Sequence, residues 1–333
     1  MKPVITFYGT QPYEQQSFDA LNVGFGFEFR YFKGHLNRQT AVATHGAQAA
    51  CIFVNDTADG PTLRQLAANG VRLLALRCAG YNNVDLAAAR DAGITVVRVP
   101  AYSPHAVAEY TVALMLSLNR KIPRASWRTR DGNFSLQGLM GFDMNGKTAG
   151  IVGTGRIARI VIRILGGFGM RIVAYDPFPD AEYARSEGFE YAPLDELYRL
   201  ADIVTLHCPL TDQTRHLIDE RAIARMKRGV MIVNTGRGKL IRTEALIEGL
   251  KSKRVGSAAL DVYEEESGYF FEDRSDKIID DDALARLLLF PNVIVTSHQA
   301  FFTAEAMHNI TLTTLENIRD FFDGQPSSRV VTA

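Results

Sequence analysis

The chain has 333 residues, of which 37 are basic and 37 acidic; 47% are hydrophobic and 22% charged. Zero net charge argues against nucleic acid or an anionic membrane as the main partner, and no apolar run approaches the roughly 20 residues needed to cross a bilayer. The length allows two domains with proper cores, and the composition is ordinary for a globular protein.

The N-terminus, Met1-Lys2-Pro3-Val4-Ile5-Thr6-Phe7-Tyr8-Gly9, reads as a first strand. It lacks the longer apolar stretch and small-residue cleavage site of a signal peptide. β-rich runs follow at 49–54, 73–77 and 95–99, with helical spacing at 63–69 and 86–91 and Gly70 and Gly93 as helix stops. This alternation predicts a parallel sheet. Cys51, Cys78 and Cys208 are odd in number and widely spaced, which fits small buried hydrophobes in a reducing cytoplasm.

At Ser103-Pro104 the chain changes character. Ser is a good N-cap, Pro suits a first turn, and 106–118 is apolar almost all round. The expectation is a linker helix that crosses between domains and packs against a second subunit. Six further β-runs follow, at 149–152, 171–175, 203–207, 230–234, 257–260 and 293–296, the pattern of a doubly wound nucleotide fold. The stretch 263–282 is acid-rich and aperiodic and reads as an exposed loop. Helical spacing resumes over 303–322, stops at Gly324, and is expected to return to the first domain. The predicted organisation is α/β, with two doubly wound parallel-sheet domains joined by crossing helices. The first is discontinuous, 1–101 and 300–333; the second is 102–299.

The most specific motif opens the second series. Val152-Gly153-Thr154-Gly155-Arg156-Ile157-Ala158 follows one apolar run and starts another, and Asp176 ends the next strand. Strand, glycine turn, helix, strand and acid make the unit that grips a dinucleotide. Gly153 and Gly155 let backbone approach a pyrophosphate, and the helix N-terminus offers free N–H groups to it. Asp176 can accept from a ribose diol. Pro177 and Phe178 bring no positive charge for a 2′-phosphate, so NAD is expected rather than NADP. A strand-end turn before Pro177 is the plainer alternative for Asp176.

Ligands of an open parallel sheet sit beyond the carboxyl ends of its strands. There the predicted strands deliver Arg237 after Asn234, Asp261 and Glu266 after Leu260, His298 after Thr296, and Cys208-Pro209 after His207. An arginine, a glutamate and a histidine on one rim suit hydride transfer to a 2-keto acid. Arg237 can hold a carboxylate with its planar fork. His298 can donate the proton that the reduced carbonyl oxygen needs. Glu266 beside it would favour the imidazolium by opposite charge. Glu266 sits in the run Glu264-Glu265-Glu266, and acidic runs are usually solvated. The spacings of His, Cys and acids match no zinc pattern, so no metal is expected.

The chain resembles the D-isomer-specific 2-hydroxyacid dehydrogenases over essentially its whole length, and among them the bacterial fermentative group that reduces pyruvate to D-lactate. The resemblance rests on Leu76-Arg77-Cys78-Ala79-Gly80-Tyr81-Asn82-Asn83-Val84-Asp85, Val99-Pro100-Ala101-Tyr102-Ser103-Pro104, the glycine motif, Leu206-His207-Cys208-Pro209-Leu210, Val233-Asn234-Thr235-Gly236-Arg237-Gly238, Asp261-Val262-Tyr263-Glu264 and His298-Gln299-Ala300-Phe301. It implies a flavodoxin-like substrate domain and a Rossmann domain that close over NADH and substrate. It implies Arg237 as substrate anchor, His298 as acid/base and Glu266, the third of its run, as partner. Ala79 and Gly80 would bind the carboxylate through backbone N–H groups, and Tyr102 and Phe301 would line the substrate pocket. The implied cofactor set is Gly153, Thr154, Gly155, Arg156, Ile157, Asp176, His207, Cys208, Pro209, Thr235, Gly236, Asp261 and His298. Two departures stand out: Ala158 replaces the third glycine of the fingerprint, and Gly236 stands where many relatives carry Ser. The alternatives are a broader 2-keto acid, glyoxylate or hydroxypyruvate reductase, and an NADH-sensing corepressor. The resemblance also implies a homodimer or homotetramer.

Overall fold

The structure is a computed structural model that describes residues 2–266 and 268–332. It divides into two compact units, Met1–Ser103 with Phe302–Ala333, and Pro104–Phe301. The cuts fall two residues beyond those expected, immediately before one helix and just ahead of the Thr303 cap of another.

The first unit is built from β1 (Val4–Phe7), α1 (Pro12–Asn22), β2 (Glu28–Tyr31), β3 (Ala49–Ile52), α2 (Gly60–Ala68), β4 (Leu73–Leu76), α3 (Leu86–Asp91) and β5 (Thr95–Val97). Its five strands are parallel in the order β2-β1-β3-β4-β5, the flavodoxin-like arrangement. β3 and β4 are buried throughout, so they read as plain apolar runs. β2 escaped the sequence reading because it is an edge strand with alternating exposure and a charged residue at every second position.

The second unit continues with α4 (Pro104–Asn119), α5 (Ile122–Arg130), β6 (Thr148–Val152), α6 (Arg156–Gly167), β7 (Arg171–Tyr175), α7 (Ala181–Glu187), β8 (Glu190–Tyr191), α8 (Leu194–Leu200) and β9 (Ile203–Leu206). Then come α9 (Glu220–Arg225), β10 (Val230–Asn234), α10 (Thr243–Lys251), β11 (Val255–Leu260), α11 (Asp282–Leu289) and β12 (Val293–Val295). The sheet has seven parallel strands, β12-β11-β10-β9-β6-β7-β8, where six were expected. The extra one, β8, is a two-residue edge strand too short to leave a pattern. The order reverses between β6 and β9, and ligands of such sheets bind at that crevice.

One expectation gains detail and one needs correction. The helix expected at 106–118 is α4, which opens the second unit directly after the cut at Ser103. Its Val112, Leu114, Met115 and Leu118 share a core with Ile151, Val161, Ile162 and Val233, while Ala113 is exposed and Tyr110 and Leu116 are half-buried. The segment 263–282 is not simply an exposed loop. Tyr263 and Phe270 are buried in the core on the other face of the sheet, and the Tyr263 hydroxyl donates to Asp281 Oδ2 at 2.8 Å. The last helix, α12 (Ala304–Phe322), belongs to the first unit. There Leu315 and Ile318 pack with Ile5, Phe7 and Phe18, and the Thr311 hydroxyl meets that of Ser17 at 2.8 Å. Among the described residues no helix is long and apolar enough to cross a membrane.

Candidate active site

The glycine turn leaves β6 at Val152. Gly153 has φ +88, and a Cβ there would lie 2.7 Å from the Cys208 nitrogen. Only glycine fits where the turn presses on the strand end of β9. Thr154 is held by Asp176, whose Oδ2 accepts from the Thr154 N–H at 2.7 Å and from its hydroxyl at 3.0 Å. Asp176 Oδ1 takes the Phe178 N–H at 2.9 Å. Gly155 caps α6 without a side-chain hydrogen bond. The N–H groups of Gly155, Arg156 and Ile157 have no hydrogen-bond acceptor among the described residues, the arrangement an anionic pyrophosphate needs. These features fit a dinucleotide.

β10 delivers the next segment. Asn234 is fully buried; its Oδ1 accepts from the Gly236 N–H at 3.0 Å, and its Nδ2 donates to the Arg237 carbonyl at 2.9 Å. That side chain fixes the turn which aims Arg237. The guanidinium donates to the Gly236 carbonyl at 2.8 Å and meets no carboxylate among the described residues. A partly buried arginine without an acid is disposed to take an anionic ligand. Thr235 meets the Thr111 hydroxyl of α4 at 2.8 Å.

β11 and β12 deliver the pair. His298 Nδ1 lies 3.1 Å from Glu266 Oε1, and both side chains keep about a fifth of their surface, 18% and 22%. Glu266 Oε2 accepts from the Tyr263 N–H at 3.2 Å. Nε2 of His298 has no partner among the described residues and is the ring atom left for a ligand. The Phe271 ring lies against the imidazole, 5.7 Å between centroids. His298 has φ +55, in the left-handed region that a histidine seldom occupies. Asp261 enforces it, in a way the sequence did not reveal. Its carboxylate accepts from the Thr296 hydroxyl at 2.6 Å and the N–H groups of Gln299 and Ala300 at 2.9 and 2.8 Å. Burial pushes the Asp261 carboxyl above the usual range, and the hydrogen bonds from Thr296, Ala300 and Gln299 only partly offset that.

Two other rim residues are insulated. Burial pushes the His207 imidazole down to about 4, and Nε2 meets the Thr205 hydroxyl at 3.0 Å. Burial pushes the Cys208 thiol up to about 11, so it carries no thiolate at neutral pH. Pro209 is exposed beside it.

The first unit holds the remaining candidates. Ala79 and Gly80 follow β4, half-buried, and their N–H groups have no acceptor among the described residues. The Ala79 carbonyl accepts from Arg98 at 2.9 Å, and the Tyr102 carbonyl accepts from Asn309 of α12 at 2.7 Å. Phe301 is the last residue of the second unit.

Residues 112–300 match the family model described as D-isomer specific 2-hydroxyacid dehydrogenase, NAD binding domain. A D-lactate dehydrogenase of Escherichia coli (strain K12) is 50% identical over 321 residues, 96% of this chain and 97% of that one. Among solved structures, the pyruvate reductase of Chlamydomonas reinhardtii superposes with a TM-score of 0.92 at 42% identity, covering 98% of both chains. A D-lactate dehydrogenase with NAD+ from Lactobacillus jensenii superposes with a TM-score of 0.81 at 30% identity, over 99% of this chain and 100% of that one.

Proposed function

The chain belongs to the D-isomer-specific 2-hydroxyacid dehydrogenases, and from that premise we infer that it reduces pyruvate to D-lactate with NADH. One observation carries the reading. The Arg237 guanidinium, which meets no carboxylate among the described residues, and the His298–Glu266 pair follow neighbouring strands on the same rim of one sheet as the glycine turn.

The roles follow from the chemistry of each group. Arg237 binds the pyruvate carboxylate through its planar fork. Ala79, Gly80, Tyr102 and Phe301 are assigned to the substrate by the family pattern. NADH, when bound, would supply the hydride for the keto carbon. As the carbonyl oxygen gains charge, His298 hands it the proton from Nε2 and completes the hydroxyl group. Glu266 accepts from Nδ1–H, which stabilises the doubly protonated ring before transfer and, once Nε2 has given up its proton, holds the neutral tautomer with Nε2 bare to take one back. Asp176 would receive the ribose hydroxyls, and the N–H groups at the start of α6 would receive the pyrophosphate. In the reverse direction His298 takes the proton back.

The test is NADH oxidation followed by absorbance with pyruvate, glyoxylate and hydroxypyruvate, then the chirality of the product. The largest kcat/KM for pyruvate with D-lactate as product is expected. L-lactate, or NADH binding without turnover on any keto acid, would overturn the reading.

Homo-oligomerisation is part of the same proposal, on a surface other than α4. Trp127, Phe134, Leu136 and Met140 are 68%, 75%, 82% and 89% exposed. The arm after α5 that carries the last three is fastened down: Arg128 donates to the carbonyls of Ser135 and Gln137, Lys121 to that of Met140, and Asn119 clamps Phe142 through both its amide atoms. A preformed surface with four such exposed apolar side chains favours a second copy. Light scattering is expected to give a dimer or tetramer, and a monomer for Phe134→Ser with Met140→Ser. A cytoplasmic location rests on Cys51, Cys78 and Cys208, none of which forms a disulfide among the described residues.

A further inference from the structure

The three consecutive glutamates that look alike in the sequence have three different fates. Glu265 is two-thirds exposed and only 3.6 Å from Lys239 Nζ. Glu266 faces His298. Glu264 turns inward, with its side chain 12% exposed, and meets two other segments. Its Oε1 lies 2.5 Å from His216 Nε2. Its Oε2 accepts from the Thr243 N–H at 3.1 Å and the Thr243 hydroxyl at 2.9 Å.

His216 is itself held on the segment that follows Arg237. Its N–H donates to the Lys239 carbonyl at 2.8 Å, and the Ile218 N–H to the Leu240 carbonyl at 3.0 Å. Its backbone is left-handed, φ +53, which aims the ring at Glu264 instead of continuing the chain. Between the two lies Gly238, where a Cβ would come within 1.9 Å of the Tyr263 carbonyl oxygen. The backbones of the Arg237 and Glu266 segments therefore touch, with a partly buried imidazole–carboxylate contact pinning them together. Neither His216 nor Glu264 is bonded to Arg237, Glu266 or His298.

We propose that His216 and Glu264 form a positioning clamp that sets Arg237 against Glu266, and so fixes the distance between the carboxylate anchor and the acid/base pair. This rests on the roles given to Arg237, Glu266 and His298 above. An apolar contact at the same place would tolerate sliding, whereas a directional bond between three segments admits one register. Both ends matter to the reaction. A displaced Arg237 loosens the substrate, and a displaced Glu266 lets the imidazole turn. Misplacement by about 1 Å at a reacting centre can reduce rates by roughly a hundredfold.

The experiment uses the full chain with NADH and compares Glu264→Gln, His216→Leu and His216→Gln with the wild type. KM for pyruvate, kcat, the Kd of NADH and the unfolding midpoint are read for each. Glu264→Gln and His216→Leu are expected to raise KM for pyruvate about tenfold and lower kcat severalfold, with NADH affinity changed by less than about twofold. His216→Gln keeps a donor toward Glu264 and is expected to recover most of the loss. A fall in the unfolding midpoint with KM and kcat per folded enzyme unchanged would overturn the proposal and leave a structural contact only. His216→Gln behaving like His216→Leu would overturn it too. If His216→Leu does not fold, the near-isosteric Glu264→Gln decides. Arg237→Lys and His298→Gln run alongside. Normal kinetics in those two would defeat the reading of the site, whereas their failure beside unaffected clamp variants would defeat the clamp alone.

Discussion

The main-chain N–H of His298 donates to the carbonyl of Asp261 at 2.7 Å, while the Asp261 carboxylate gathers the next two amides of the same turn. One buried aspartate thus holds the histidine in a backbone conformation that costs about 1–2 kcal/mol. Such strain persists only where the surroundings over-determine it, and here it leaves Nδ1 on Glu266 and Nε2 open.

Asp261→Asn is expected to lower kcat by roughly ten- to a hundredfold, because one side-chain acceptor becomes a donor facing a main-chain N–H, at about 1–3 kcal/mol. Steady-state kinetics with pyruvate check it. An unchanged kcat would show that the turn holds without the second carboxylate oxygen.

Gly238→Ala is expected to destabilise the second unit by about 1–3 kcal/mol, since a methyl would collide with the Tyr263–Glu264 backbone. Urea unfolding measures it. Wild-type stability would mean that the two segments part without penalty.

How much of this was legible in the sequence depended on periodicity. The buried parallel strands β3, β4, β6, β9 and β10 are near-continuous apolar runs, and the glycine turn carries its own punctuation, so the βα order and the cofactor crevice could be read directly. Arg237 and His298 were legible as strand-end residues, whereas Glu266 was singled out of its run of three only by the family resemblance. Edge strands β2 and β8 were not, because exposure and shortness erase the pattern. Glu264 was illegible for another reason. Nothing local separates it from Glu265, and its partners His216 and Thr243 lie 48 and 21 residues away. The same holds for Asp261, whose carboxylate bonds reach 35 to 39 residues ahead. A left-handed histidine leaves no mark in a sequence either.

Acid stability should carry the signature of His207. Burial holds its imidazole near 4 in the folded chain, against about 6.5 when unfolded. Between those values the unfolded state binds a proton that the folded state does not. Stability therefore falls as pH drops from about 6.5 toward about 4, by about 3 kcal/mol in all. His207→Gln is expected to flatten that part of the curve in urea titrations across pH. A slope equal to the wild type's would place the titrating group elsewhere.

Asp176→Ala is expected to weaken NADH far more than NADPH, since only NADH offers the free 2′-hydroxyl to that carboxylate. It also frees the Thr154 and Phe178 amides, so some loss with both cofactors is expected. Fluorescence titration separates the two, and equal losses would reject the ribose contact.

The central claim is that the imidazole of His298 delivers the proton. It is tested most directly by single-turnover oxidation of NADH by pyruvate in His298→Gln, beside an NADH titration of the same protein. General acid catalysis of this kind contributes about 10²–10⁴-fold, so a loss of that size with NADH affinity intact is predicted. A variant that binds NADH and turns over within severalfold of the wild type would contradict it.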